Sequence, residues 1–497
     1  MLKLFGGGKP DHPMADAREA RRILEQLPAH DPFKALDELA HWHESIGAAP
    51  GFRLENRIGL VFAIDDAAQP RVRKLAKDYF AAARPSRFQE NRLWMHCHDY
   101  WRQAGIALAR CVDGYLQDPK GGDGARAQLV PVVVRALRSL GQHIKWMHLR
   151  YGPVDPAVWG ILNNVYAFAE ARGVASTRAA AYPGMAESSP QDEFLKAAMF
   201  SASCPDSLLP QDVVLAERLI GDLAGGFTVS SAPAPELPYR VDLGKPLPPM
   251  RASRSGSGGG AERFLGGGAA LGALQGLIQK IEATGQVPAG ASLGESYEPE
   301  MALDVMQHLA MYWSPIPPER RHPRHQVKSR LAVVAGFDGA VRALSGAMID
   351  GAESWIVENV SAGGFGAAIP QVRGDWLKVG ALLALQPDGG SNWLVGLIRR
   401  INRTSGSQAR VGIQTLSRAP RAAQLEARIG RVPGIVLPTG EPGSAEVAIA
   451  LQPEVFTRGV NLESEHDGRH YVYMPQAVVE RAEDFELGRF REMVRES

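Results

Sequence analysis

Cysteine, excess charge and long apolar runs are all scarce in this sequence of 497 residues. The three cysteines, Cys97, Cys111 and Cys204, are too few and too scattered for a disulfide framework, which agrees with a reducing compartment. The formal net charge is only +1, so composition gives no general argument for nucleic-acid binding. No run of eighteen apolar residues is free of charge, and the first residues lack the apolar stretch of a secretory signal. We therefore expect a cytoplasmic protein without membrane insertion.

The motifs of common catalytic and metal sites are also missing. The sequence has no G-x-S-x-G nucleophile elbow, no HExxH and no CxxC pair, and its glycine-rich stretches do not match GxxxxGK[ST]. The segment HCHD, residues 96–99, resembles a metal cluster, but on a helix His96 and His98 face different directions, and an amphipathic helix explains the segment better. We expect no enzyme, no catalytic residues, no cofactor and no metal site.

Residues 1–226 have the pattern of an all-α bundle or helical array. Asp31 is a plausible N-cap, Pro32 fits the first helical position, and apolar residues recur behind them at helical spacing. The segment 156–175 resembles the first helix of a tetratricopeptide unit through Trp159 and Tyr166. No second copy follows at a fixed period, so a single amphipathic helix is the simpler interpretation.

Residues 227–262 are rich in proline, glycine and serine, which predicts a linker. Residues 263–313 contain two amphipathic segments and predict a pair of helices, the first of them stopping at Gly285.

From residue 327 onward short β-branched and aromatic runs alternate with Gly, Asp, Asn and Ser. This pattern predicts a small antiparallel barrel or sandwich over 314–420. Residues 421–497 predict a further β-rich module, with a hairpin at Asp467-Gly468 and a closing helix over 476–496. The expected fold class is therefore multidomain α+β, with the helical region first and the β regions after it.

A basic cluster precedes the first predicted strand of this β region. The segment ERRHPRHQVKSRL, residues 319–331, holds four arginines, and the prolines of the preceding SPIPPE, residues 314–319, favour an exposed, extended loop. About thirty-five residues later the segment NVSAGGFG, residues 359–366, offers a short amide, a hydroxyl and the adjacent glycines Gly363 and Gly364 at a strand end. The first segment supplies positive charge and the second supplies hydrogen bonds. For the arginines alone a solvated basic loop would be the ordinary explanation.

The pairing of RxxxR, Arg320 to Arg324, with [D/N]xSxxG, Asn359 to Gly364, resembles the PilZ domain, a bacterial receptor module for cyclic di-GMP. The resemblance covers about 318–420 and implies a six-stranded antiparallel β-barrel. It also implies that Arg320 and Arg324 contact guanine edges and phosphates, with Arg321 as an additional phosphate contact. Asn359, Ser361, Gly363 and Gly364 would then form the opposite, backbone-lined side of the site. An arginine fork suits both guanine O6/N7 and phosphate.

The resemblance therefore predicts a bacterial cyclic di-GMP effector. In this hypothesis the ligand orders the arginine loop at the junction of helices and barrel and so alters binding of a protein partner by the helical region. The alternative is an interaction scaffold whose PilZ-like barrel binds no nucleotide. RNA or DNA binding is disfavoured, because the strands lack interleaved aromatic residues and no domain face is basic.

Overall fold

The structure is a computed structural model that describes residues 10–81, 86–252, 260–288, 297–319, 322–347, 351–374, 376–438 and 445–495. The chain divides into two compact units. Unit 1 comprises Met1–Arg150, Val154–Pro205 and Pro210–Pro318, and unit 2 comprises Tyr151–Pro153, Asp206–Leu209 and Glu319–Ser497. The predicted fold class is confirmed, since helices dominate the first unit and closed barrels the second.

Unit 1 begins with a series of helices that pack against one another. They are α1 (Ala17–Glu25), α2 (Pro32–Ala48), α3 (Leu54–Tyr79), α4 (Arg87–Gln117), α5 (Pro119–Gly124), α6 (Leu129–His148), α7 (Pro156–Ala171), α8 (Pro190–Ala202) and α9 (Pro210–Asp222), with a hairpin of β1 (Ala179–Ala180) and β2 (Glu187–Ser188). The expected start of α2 is confirmed: Asp31 accepts a hydrogen bond from the Lys34 amide at 3.0 Å, with Pro32 at the first position. None of the described helices is long and apolar enough to cross a membrane.

The helices of this region pack closely against one another. A Cβ at Gly105 of α4 would lie 2.9 Å from the Leu140 side chain of α6, so the two helices approach closely there. In α7 the Tyr166 ring stacks on Phe194 with centroids 4.0 Å apart, and Trp159 is buried. The aromatic residues of this helix are therefore core residues, as the simpler interpretation of 156–175 predicted.

The linker predicted for 227–262 is wrong over its described part, which contributes to a four-stranded antiparallel sheet. The strands are β3 (Thr228–Ser230), β4 (Tyr239–Asp242), β5 (Met250–Arg251) and β6 (Glu262–Gly266), in the order β3-β6-β4-β5. Tyr239 and Val241 are buried, and the Tyr239 hydroxyl donates to the Tyr312 carbonyl at 2.7 Å. The prolines lie mainly between these short strands, so composition concealed the alternation of buried residues in β4.

Two helices, α10 (Gly268–Thr284) and α11 (Pro299–Trp313), complete unit 1. The predicted stop of α10 is confirmed, because Gly285 adopts a left-handed φ of 66° and its amide bonds to the Ile281 carbonyl. The segment after α11 is also fixed: the Arg251 guanidinium donates to the carbonyls of Pro317 at 2.9 Å and Pro318 at 2.5 Å.

The first part of unit 2 is a closed six-stranded antiparallel barrel with one helix on its surface. It comprises β7 (His325–Ala335), α12 (Phe337–Leu344), β8 (Glu353–Ser361), β9 (Gly364–Ile369), β10 (Leu382–Pro387), β11 (Leu394–Arg403) and β12 (Ala409–Ser417). Its core includes Trp355, Leu383 and Ile398, joined by Tyr151 from the short segment that belongs to this unit. The Tyr151 carbonyl accepts a hydrogen bond from the Arg403 amide at 2.8 Å.

The second part of unit 2 is another closed six-stranded barrel. Its strands are β13 (Arg421–Ala427), β14 (Gly430–Pro438), β15 (Glu446–Leu451), β16 (Leu462–His466), β17 (Arg469–Arg481) and β18 (Glu486–Arg495). Numbered within each barrel, the strands have the same circular order, 1-2-3-6-5-4, in both. The hairpin at Asp467-Gly468 is confirmed, with both residues at positive φ.

The helix predicted for 476–496 is wrong, because β17 and β18 occupy this segment and pair with each other. Its glutamates, arginines and alanines favour a helix locally. Strand pairing nevertheless buries Phe485, Leu487 and Phe490, and this tertiary gain overrides the local preference.

The two barrels pack through an apolar layer that includes Leu397 of β11, Ile435 of β14 and Phe485. At its edge the Arg399 guanidinium makes a two-point ion pair with Glu480 at 2.7 and 2.8 Å. Asp484 accepts a hydrogen bond from the Phe337 amide at 2.9 Å, at the start of α12. The second barrel therefore supports the surface helix of the first.

Candidate cyclic-dinucleotide site

The antiparallel pairing of β7 with β8 joins the two halves of the predicted site, the arginine segment (residues 319–324) and the end of β8 at Asn359 to Ser361. His325, which follows Arg324 directly, is opposite Val360, and Gln326 is opposite Asn359. Residues opposite each other in an antiparallel pair have Cα atoms about 4.5–5.5 Å apart. The end of the arginine segment therefore lies beside the strand end that carries Asn359, although the two are far apart in sequence.

The described residues include only part of the arginine segment. Arg320 and Arg321 lie outside the described residues, whereas Arg324 is exposed at the surface of the barrel. The chain is fixed on both sides of this segment, by the Arg251 bonds to Pro317 and Pro318 and by the pairing of His325. Residues 319–324 therefore connect two anchored points and form the last connection from unit 1 into unit 2.

Asn359 carries a hydrogen-bond acceptor that has no partner within the described part of the barrel. Its Oδ1 atom is shielded from solvent and has no hydrogen-bond partner among the described residues. The amide packs over Gly366, its partner on β9, where a Cβ would lie 2.6 Å from Oδ1. A register shift between Val357 and Asn359 places the side chain there. A buried acceptor without a partner is costly, so a ligand donor at this point would be favoured.

A two-residue turn, Ala362-Gly363, joins β8 to β9. Ser361 is paired with Gly364 across the turn, and its hydroxyl donates to the Gly364 carbonyl over a long 3.4 Å. The Thr415 amide of β12 donates to the Gly363 carbonyl at 3.0 Å. The turn is therefore fixed against β12, while the Ser361 hydroxyl makes only a weak internal bond.

The missing side chain has different neighbours at Gly364 and at Gly363. Gly364 has a φ of 150°, and a Cβ there would lie 1.9 Å from the carbonyl oxygen of Ile413, which is far inside van der Waals contact. Only glycine allows β9 to approach β12 this closely. A Cβ at Gly363 would instead meet the edge of the His322 ring at 3.3 Å. The turn therefore contacts the arginine segment through Gly363.

Two further residues belong to this surface and were not predicted from the sequence. Gly366 makes room for the Asn359 amide, and Arg418 donates from Nη2 to the Ala362 carbonyl at 3.0 Å. A glycine on the same face of β9, two residues after Gly364, was the available signal for Gly366. For Arg418, more than fifty residues away from the turn, the sequence carried no such signal.

The second barrel carries an arginine at the start of its first strand whose partners lie within that barrel. Arg421, at the start of β13, donates to Glu492 and to the Tyr473 hydroxyl, both at 2.8 Å, and stacks on the Tyr471 ring. Its charge is thus satisfied within the barrel. The connection between β14 and β15, residues 439–444, lies outside the described residues, and its sequence does not contain N-x-S-x-x-G.

Comparison with protein families agrees with the fold of the first barrel. Residues 353–423 match the family model described as the middle PilZ domain of the cyclic-di-GMP receptor FimW, and residues 18–235 match the model described as the N-terminal domain of the same receptor. No curated protein matches the chain. The match to the middle domain begins at β8, whereas in the structure the same barrel also includes β7, which directly follows the arginine segment.

Proposed function

Because this chain contains a PilZ domain, we propose that it is a cyclic di-GMP-binding effector whose site is formed by residues 320–324 and 359–364. The observation that carries the proposal is the β7–β8 register, which brings the arginine segment to the Asn359 strand end. Both matched families are described as parts of a cyclic-di-GMP receptor, and neither is described as an enzyme.

The chemistry of each residue suits one part of this ligand. Arg320 and Arg324 would bind guanine edges and phosphates, and Arg321 would add a phosphate contact. The unpartnered Oδ1 of Asn359 would accept a hydrogen bond from a guanine amino group, and the Ser361 hydroxyl would exchange its weak internal bond for one to the ligand. Gly363 and Gly364 would form the floor beneath the base, where the absence of side chains allows close approach.

Isothermal titration calorimetry with cyclic di-GMP tests the proposal, with cyclic di-AMP and GTP as control ligands. We expect saturable binding of cyclic di-GMP alone. The double variant Arg320→Ala/Arg324→Ala should lose most of this affinity, because it removes two charge-assisted contacts, each worth about 1.5–3 kcal/mol. Absence of saturable heat with the native chain, or unchanged affinity in the double variant, would overturn the proposal and favour an interaction scaffold that binds no nucleotide.

The effector role requires that ligand binding at the barrel alter the helical region. Residues 319–324 follow Pro318, which Arg251 of the sheet in unit 1 holds. We propose that the ligand fixes this connection and thereby alters binding of a protein partner by the helices. Hydrogen exchange of α11 with and without ligand provides the test. Slower exchange in α11 upon binding is expected, and identical exchange would exclude the switch while leaving ligand binding intact.

A further inference from the structure

The arginines between β11 and β13 differ in how their charge is compensated. Four arginines of β11, β12 and β13 form ion pairs with carboxylates of unit 2 at 3.0 Å or less: Arg399 with Glu480, Arg400 with Asp206, Arg410 with Glu358 and Arg421 with Glu492. Arg418 lies among them in sequence, yet it forms no ion pair within the described part of the chain. Its exposed charge is therefore available to an anion.

The position of Arg418 makes this charge relevant to the site. Its Nη2 atom donates to the Ala362 carbonyl at 3.0 Å, and Ala362 lies within the motif between Ser361 and Gly363. The adjoining residue of the turn, Gly363, faces His322 of the arginine segment. The β8–β9 turn thus contacts two basic residues, His322, which precedes β7, and Arg418, which follows β12.

The backbone around Arg418 holds it in place. Ser417, the last residue of β12, is buried and donates its hydroxyl to the Pro438 carbonyl at 3.2 Å, and the Ala419 amide donates to the same hydroxyl at 3.3 Å. A guanidinium has five donors, and the Ala362 carbonyl occupies one of them. The others can bind an oxyanion without a large rearrangement of the backbone.

We propose that Arg418 is a further cationic contact of the cyclic di-GMP site and binds one of the two ligand phosphates. This inference rests on the proposed function. It assigns part of the phosphate recognition to the connection between the two barrels, outside both halves of the sequence motif.

The test separates the charge of Arg418 from its hydrogen bond. Arg418→Gln keeps an amide donor for the Ala362 carbonyl but removes the charge, whereas Arg418→Lys keeps the charge. Arg431→Gln, at the opposite end of β14 from Pro438, removes another exposed charge as the matched control. Each variant is titrated with cyclic di-GMP at two salt concentrations, and its unfolding temperature is measured without ligand.

We expect Arg418→Gln to weaken binding about tenfold and to reduce its dependence on salt, because one ion pair with phosphate is lost. Arg418→Lys should recover part of the affinity, and Arg431→Gln should bind like the native chain. Native affinity in Arg418→Gln would overturn this inference alone. Equal losses in Gln and Lys together with a lower unfolding temperature would also overturn it, since they indicate a structural role. Absence of binding by the native chain would overturn the proposed function and this inference with it.

Discussion

Replacing Gly364 by alanine should disrupt the strand pair that supports the site. The added Cβ would lie 1.9 Å from the Ile413 oxygen, whereas an ordinary contact is longer than 3 Å, so β9 or β12 must move by more than about 1 Å. Overpacking of this kind costs about 1–3 kcal/mol, and a φ of 150° adds strain for any residue with a side chain. We expect a local destabilisation of about 2–4 kcal/mol.

Hydrogen exchange resolved by peptide is the suitable assay, since a chain with two units does not unfold in a single two-state step. Protection of the β9 and β12 amides should fall by about 30- to 700-fold, whereas the helices of unit 1 should exchange as before. The neighbouring variant Gly363→Ala is the control. Its Cβ meets only the edge of the His322 ring, and we expect protection of β9 and β12 to change by less than about threefold.

Native protection of β9 in Gly364→Ala would refute this reasoning. Equal losses in both variants would also refute it, because only one of the two glycines lacks space for a side chain. In the same samples, cyclic di-GMP binding should be lost in Gly364→Ala together with the strand pair.

Two further predictions concern unit 1. Burial lowers the pKa of His43 to about 3, so its contribution to stability is complete above pH 6.5 and is lost as the pH falls towards 3. His43→Leu should remove up to about 3 kcal/mol of this acid sensitivity, measured as the protection of the α2 amides against hydrogen exchange at pH 7 and pH 4 after correction for the intrinsic exchange rate, and the exposed His41→Leu should behave like the native chain. The same acid sensitivity in His43→Leu and in the native chain would contradict this account. Arg263 of β6 binds both carboxylate oxygens of Glu170 on α7. Arg263→Gln should destabilise the four-stranded sheet by about 1–3 kcal/mol and speed its limited proteolysis, whereas the exposed Lys245→Gln should do neither. Native cleavage rates in Arg263→Gln would show that the stability of the sheet does not depend on this pair.

Local sequence signals predicted the features that depend on local physics. Asp31 with Pro32 begins α2, Gly285 ends α10, and Asp467-Gly468 forms the β16–β17 hairpin, because caps and tight turns are determined by a few adjacent residues. The PilZ resemblance was carried by two short motifs, and the match to the middle PilZ domain confirms it.

Features that depend on distant partners were missed. The segment from Gln476 onward has a helical composition, but it becomes strand because it pairs within a barrel and buries Phe490. The short strands between residues 228 and 266 were hidden among prolines, since each is stable only beside the others. The same reason explains why Arg418 was not predicted: its proximity to Ala362 is a property of the barrel and of no local pattern.

The two barrels show how little of the proposed function resides in the fold. Both have six strands in the same circular order, so topology alone does not distinguish a barrel that binds the ligand from one that does not. Arg418, after the last strand of the first barrel, and Arg421, in the first strand of the second barrel, differ in charge compensation, however. In the second barrel Glu492 neutralises Arg421, whereas near the first barrel's turn Arg418 remains without a carboxylate partner within the described residues. A phosphate would have to displace a carboxylate at Arg421 but could bind Arg418 directly. We therefore expect one cyclic dinucleotide site per chain, located on the first barrel.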